Sequence, residues 1–366
     1  MIIGVPTEVK NNEYRVAITP LGVNELVRRG HEVLVQAGAG EGSSITDEAY
    51  GDVGARIVQD AADIWGEADM ILKVKEPLPP EYELMREGQL LFTYLHLAAS
   101  EELTRELLER KVISFAYETV EAPDGALPLL APMSEVAGRL AAQIAAHLML
   151  KVAGGRGILM GGVPGTRPAN VVVLGGGTVG FQAARIASAM GADVTVYDVD
   201  FRRMSYIDDI TEGRIHTEYS TALSVARGLK NADAVIGSVL IPGARTPQLV
   251  TNEMITDMKP GSVLVDVAID QGGCFEASRP TTHDDPTFEF EGSLFYCVGN
   301  MPGSVPYTST YALTNATLKY VTHIAEAGWE QAIKDMPDLA QGLSTYDGKL
   351  YEPGVADAFG LELSSL

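Results

Sequence analysis

Thiols are nearly missing from this chain of 366 residues, whose only two cysteines are Cys274 and Cys297. A pair cannot supply a disulfide framework or a four-ligand zinc site, and no other metal centre suggests itself, so both are expected to be small buried apolar residues. Positive charge is also scarce: 27 Lys and Arg stand against 49 Asp and Glu, a formal net charge of −22. That balance repels a phosphate backbone and argues against nucleic acid as a partner. Long hydrophobic runs are missing too. The longest mostly apolar stretch, residues 136–150, is interrupted by Arg139, Gln143 and His147, short of the ~20 residues needed to cross a bilayer. The first ten residues, MIIGVPTEVK, carry no basic segment, apolar signal core or small-residue cleavage site, so a cytoplasmic protein with no membrane partner is expected.

What is present is a globular composition, 46% hydrophobic and 21% charged. At roughly 150 residues per domain the length suggests two domains. Glycine, with 38 residues, exceeds the usual ~7% and points to many tight turns. Short apolar runs at 2–5, 32–36, 70–74, 89–94 and 112–117 read as strands, with helices starting at Pro20 and Glu101. Thr19 and Ser100 are the expected N-caps. After the Pro/Gly-rich stretch at 122–132 a long helical pattern covers about 133–152, which places a domain boundary there. Strand runs then recur at 170–174, 194–197, 234–236 and 262–265, and a further helical run covers about 308–327. Strands alternating with helices imply α/β architecture with mostly parallel sheets.

The sharpest motif is NVVVLGGGTVGFQAARIASAMGADVTVYDVD. Gly175, Gly177 and Gly180 form GxGxxG between an apolar strand and an Ala-rich helix, and Asp198 ends the next strand. The first glycine permits the tight turn, the second lets a pyrophosphate approach the backbone, and the third lets helix and strand pack closely. The helix N-terminus supplies N–H groups for the phosphates. An acid in the place of Asp198 accepts a ribose 2′-OH and opposes a 2′-phosphate, which favours NAD over NADP. Arg202 and Arg203 just beyond it are open between a cofactor contact and a solvated helix face.

A nicotinamide enzyme also needs groups to grip a substrate and move a proton. Arg15, Lys75 and His96 sit at strand ends or in the loops after them, where α/β sheets place function. The planar fork of Arg15 suits a carboxylate. Lys75 ends a strand on which Lys73 faces the same way. The ordinary pKa of His96, near 6.5, suits proton exchange at neutral pH. Pattern alone leaves each of the three open between such a role and an ordinary surface or structural one. In the second half Asp266 ends a strand, and Asp270 lies in the Gly-rich loop after it, which is expected to face the nicotinamide.

The segments GVPTEVKNNEYRVAITP, LKVKEP, FTYLHLA, APMSEVAGRLAAQ, VVVLGGGTVG, VDVAIDQGGCFEASRPTTHDDPTF and CVGNMPGSVPYTSTYALTNAT together give the chain an end-to-end resemblance to the alanine dehydrogenases and the related nicotinamide-nucleotide transhydrogenase α-subunits. The resemblance implies two Rossmann-like, doubly wound domains joined by long helices. Residues 1–128 plus 307–366 would form the substrate and catalytic domain, and 129–306 the NAD-binding domain. It implies reversible conversion of L-alanine, water and NAD to pyruvate, ammonia and NADH. By the same resemblance Arg15 and Lys75 would bind substrate, and His96 and Asp270 would be the acid/base pair. The NAD site would comprise Ser134, Gly175, Gly177, Thr178, Val179, Gly180, Asp198, Arg203, Ser220, Val239, Leu240, the loop Val267, Ala268, Ile269 and Asp270, then Arg279, Val298, Gly299, Asn300 and Met301. Homohexamers are usual in such a family. Two rivals are an imine-reducing oxidoreductase that uses a larger amine in place of ammonia, and a non-catalytic NAD-binding module.

Overall fold

The computed structural model describes residues 1–239 and 246–365. In chain order the strands are β1 (Ile2–Val5), β2 (Glu32–Gln36), β3 (Arg56–Val58), β4 (Met70–Leu72), β5 (Leu90–Thr93) and β6 (Ile113–Ala116). There follow β7 (Asn170–Leu174), β8 (Asp193–Asp198), β9 (His216–Tyr219), β10 (Ala234–Gly237), β11 (Val263–Asp266), β12 (Thr287–Phe290) and β13 (Ser293–Tyr296). The hairpin of β14 (Leu343–Tyr346) and β15 (Lys349–Leu350) comes last. The chain divides into two compact units, Met1–Met133 with Gly303–Leu366, and Ser134–Pro302.

The first unit is built on an eight-stranded sheet ordered β15-β14-β6-β5-β4-β1-β2-β3. Its six N-terminal strands are parallel, whereas β14 and β15 join antiparallel at one edge. The sheet is thus mostly parallel as expected, and the C-terminal hairpin, whose tight turn makes its two strands antiparallel, adds the one antiparallel edge. Strands buried on both faces read as continuous apolar runs, and β4, β5 and β6 are buried at every position. Trp65, Leu91, Leu103 and Leu107 form their core together with Leu350 and Val355 from the C-terminal segment. The helix Pro20–Arg28 starts as anticipated with Pro at its first position, but Thr19 makes no side-chain cap bond. Ser100 does cap Glu101–Glu109, accepting from Leu103 N.

The second unit carries a seven-stranded sheet ordered β12-β13-β11-β10-β7-β8-β9. Six strands are parallel, and β12 pairs antiparallel with β13 at the edge. The order runs outward from β7 in both directions, so the crossover switches beside the first strand of the unit, where doubly wound sheets bind ligands. The long helix covers Ala131–Leu148, shorter than the sequence pattern suggested. No helix among the described residues is long and apolar enough to cross a membrane.

Close packing of the Thr178–Ala189 helix on β7 depends on Gly180. A Cβ there would lie 1.8 Å from the Gly175 carbonyl oxygen and 2.5 Å from Ser238 Oγ. No rotamer relieves a clash of Cβ with backbone, so Gly180→Ala is expected to cost more than about 3 kcal/mol. Thermal or urea unfolding of the purified variant checks this, and a midpoint equal to that of the parent chain would contradict it.

Candidate active site

Four neighbouring strands of the first unit, β6-β5-β4-β1, deliver charged residues just past their carboxyl ends. Glu8, Glu13 and Arg15 follow β1, Lys73 and Lys75 follow β4, His96 follows β5 and Glu118 follows β6. Burial sorts them. Lys73 is fully buried, with its Nζ 3.2 Å from Glu8 Oε2 and 2.9 Å from Glu81 Oε1. β4 stops at Leu72, so the strand alternation expected to put Lys73 and Lys75 on one face does not extend over them. Glu8 also accepts from Val74 N at 2.6 Å and Lys75 N at 3.3 Å. One buried carboxylate therefore neutralises Lys73 and fixes the main chain of Lys75. Burial pushes the Glu8 carboxyl up against the pull of Lys73.

Arg15 is buried and already engaged. Glu13 takes its Nε at 2.7 Å and its Nη2 at 2.5 Å, while Nη1 meets Met133 Sδ at 3.0 Å. Despite burial, the bonds to Glu13 raise the guanidinium pKa further and hold the cation. The edge of the fork toward Nε is thus occupied by protein.

Lys75 Nζ lies 3.2 Å from His96 Nε2 and 5.8 Å from the centroid of the Tyr94 ring. Tyr94 stacks parallel to the imidazole at 5.9 Å and is itself held through its hydroxyl donating to Leu129 O at 2.6 Å. The His96 pKa lies well below the ordinary 6.5, from desolvation by the surrounding protein first and the Lys75 ammonium second. The side chain is still 43% exposed, so solvent weakens both causes without reversing either. A neutral imidazole with a lone pair at Nε2 is the form that accepts a proton.

In the second unit the anticipated cofactor residues lie at or beyond the carboxyl ends of parallel strands. The glycine turn follows β7, Asp198 closes β8, Ser220 follows β9, Val239 follows β10, Val267, Ala268, Ile269 and Asp270 follow β11, and Val298, Gly299, Asn300 and Met301 follow β13. Gly175 has φ +93°, a conformation that favours glycine. Nothing lies within 4 Å of a Cβ built on Gly177, leaving the open approach that a pyrophosphate requires. Thr178 and Val179 open the helix behind it. The Asp198 carboxylate accepts from Gly176 N at 2.5 Å, Val199 N at 2.7 Å and Asp200 N at 2.8 Å. That fixes an acid at the lip of the turn, and the residues present fit a dinucleotide.

Arg203 donates through Nε to Gly176 O and lies over the rings of Phe181 and Tyr206 at 5.3 and 5.0 Å. It braces the turn from behind. Arg279 lies over the Phe288 ring at 4.4 Å. Ser134 is half-buried near the start of Ala131–Leu148, and Leu240 lies outside the described residues. Asp270 is exposed in the turn Ile269–Gln271, with Asn300 N 3.4 Å from its Oδ2. Asp266, fully buried, accepts from Ala268 N at 3.2 Å, Cys274 N at 2.9 Å and Ser278 Oγ, so it folds the loop that presents Asp270.

Sequence reasoning passed over Glu8, Glu13, Tyr94 and Glu118. Glu118 stands just past β6 as His96 stands just past β5, and that shared offset was the available signal.

Two family models match the chain: Alanine dehydrogenase/PNT, N-terminal domain, over residues 4–137, and Alanine dehydrogenase/PNT, C-terminal domain, over residues 141–353. An alanine dehydrogenase of Mycolicibacterium smegmatis is 60% identical over 356 residues, covering 97% of this chain and 96% of the relative. One from Halomonas elongata is 55% identical over 362 residues, covering 99% and 98%. Among solved structures, an L-alanine dehydrogenase superposes with a TM-score of 0.95 at 47% identity, covering 98% of this chain and 99% of that one. A transhydrogenase from Sinorhizobium meliloti gives 0.82 at 28% identity, covering 96% and 99%.

The open and closed glycines of the turn make separable predictions. Gly177 has φ −61° and no neighbour to its Cβ, so Gly177→Ala should keep the unfolding midpoint. It should weaken NADH binding by about tenfold or more through the added methyl. Fluorescence titration with NADH checks this, and unchanged affinity would remove Gly177 from the cofactor site.

Proposed function

The chain belongs to the alanine dehydrogenase/PNT family, and we propose that its two units share the work of one reaction, the reversible oxidative deamination of L-alanine to pyruvate and ammonia. It is an NAD-dependent amino-acid dehydrogenase. In this reading residues 1–128 with 307–366 handle the substrate and residues 129–306 hold NAD.

Arg15 and Lys75 bind the substrate, the former through its carboxylate and the latter through the carboxylate or carbonyl oxygen. When bound, NAD supplies the acceptor for the hydride on Cα of L-alanine. Loss of that hydride leaves an iminium carbon, which water attacks once a base takes its proton. His96, neutral and with Nε2 directed at Lys75, is suited to take it, and Lys75 stabilises negative charge developing on the substrate oxygen. Asp270 is the second member of the acid/base pair. NAD is held by Ser134, Gly175, Gly177, Thr178, Val179, Gly180, Asp198, Arg203, Ser220, Val239, Leu240, Val267, Ala268, Ile269, Asp270, Arg279, Val298, Gly299, Asn300 and Met301. Asp198 meets the ribose 2′-OH. The observation that carries the reading is the 3.2 Å contact of Lys75 with His96, in a chain 60% identical to an alanine dehydrogenase.

The protein is further read as a cytoplasmic homohexamer. Exposed apolar side chains at Leu150, Val152, Leu159 and Val163 supply surface for self-association.

The test follows NADH absorbance after mixing the purified protein with pyruvate, with and without ammonium. Oxidation is expected only with both present, with little or none when NADPH replaces NADH. Oxidation that requires an added amino acid in place of ammonium would contradict the reading. His96→Ala should lower kcat by about 10² or more while NADH still binds, and near-normal kcat would remove His96 from the chemistry.

A further inference from the structure

We infer that Glu118 is a positioning residue for His96, holding the imidazole as an anion from beneath the loop that presents it. The inference rests on the reading of His96 as the group that moves the proton. Glu118 lies in the turn Tyr117–Thr119 directly after β6, next to β5, the strand that His96 follows. Its side chain is only 16% exposed. Oε1 accepts from Leu95 N at 3.1 Å and from His96 N at 2.5 Å, and Oε2 lies 3.3 Å from Leu95 N. The same Oε1 is 3.6 Å from His96 Nδ1. One carboxylate therefore ties down the main chain of His96, whose φ is +49°, and faces one ring nitrogen while the other faces Lys75. A carboxylate at Nδ1 favours the tautomer with the proton there, leaves the lone pair on Nε2 and raises the basicity of that nitrogen.

Burial pushes the Glu118 carboxyl up to about 7, against the pull of the backbone bonds and with Glu352 adding to the rise. An acid whose folded value is raised loses stability as pH climbs from the ordinary carboxylate range through that value. Gln in its place should therefore leave the fold as stable as before or more stable at pH 8. The charged groups facing His96 are Lys75, Lys10 and Arg15, with the Tyr94 ring stacked on it. The group facing Glu118 from the C-terminal segment is Glu352, which itself accepts from Ser344 Oγ at 3.0 Å.

The experiment compares the parent chain, Glu118→Gln and Glu352→Gln in L-alanine oxidation across pH 6–9, alongside melting temperatures. In the parent, kcat should fall on the acid side of about pH 7. Glu118→Gln should lose kcat at pH 8 by about tenfold or more, with KM for L-alanine within about twofold, no acid limb and a melting temperature not below the parent's. Glu352→Gln removes a negative neighbour without touching His96, so it should keep kcat at pH 8 and move the acid limb to lower pH. Glu118→Gln with the parent's kcat and acid limb would overturn the inference, as would a loss of kcat matched by a lower melting temperature. Should that variant not fold, an unmoved limb in Glu352→Gln overturns it alone. If the parent turns over no alanine, the reading of the reaction has failed, and the placement of Glu118 is then judged without turnover. Site-resolved carbethoxylation of His96 by diethyl pyrocarbonate should be faster above pH 7 than below in the parent, with the step missing in Glu118→Gln. Identical profiles would overturn the inference.

Discussion

The strand-end cluster of the first unit is organised by one constraint: several cations are packed at the carboxyl ends of adjacent parallel strands, away from most water. A buried charge must be paired or it is strongly destabilising. Lys73 meets this with Glu8 and Glu81, and Arg15 with Glu13. Lys75 also approaches a histidine, with its Nζ 3.2 Å from His96 Nε2. Desolvation first, and then repulsion by the Lys75 ammonium, push the imidazole pKa well below its ordinary value and favour the neutral form. An ammonium and a neutral imidazole thereby stand side by side, differing in protonation state.

Steric rather than electrostatic limits shape the second unit. Three glycines in one turn meet three different demands: a positive φ at Gly175, open space at Gly177, and backbone contact too close for any Cβ at Gly180. Asp198 and Arg203 then grip Gly176 through its N–H and its carbonyl respectively. The turn is held on both sides of Gly176 before any ligand arrives, which lowers the ordering cost of binding.

Much of this was legible in the sequence because strands buried on both faces announce themselves as apolar runs. β1, β2, β4, β5, β6, β7, β8, β10 and β11 all lie where such runs occur. β3 was not foreseen, since three residues beginning with an arginine give no period to read. The pairs β12–β13 and β14–β15 were missed because hairpins near the end of a domain depend on their neighbours for burial. GxGxxG was legible for a covalent reason, the lack of a side chain. The partners of the site cations were not: Glu8, Glu13 and Glu118 are three among 49 acidic residues, and only folding shows which of them are buried.

The most direct test of the central contact is the protonation of His96 itself, followed by NMR of protein labelled at its six histidines, with His96→Ala used to assign the signal. The account predicts titration well below 6.5 in the parent chain, and a rise toward the ordinary value in Lys75→Met. A parent histidine that titrates at or above 6.5, or one indifferent to the loss of Lys75, would contradict it.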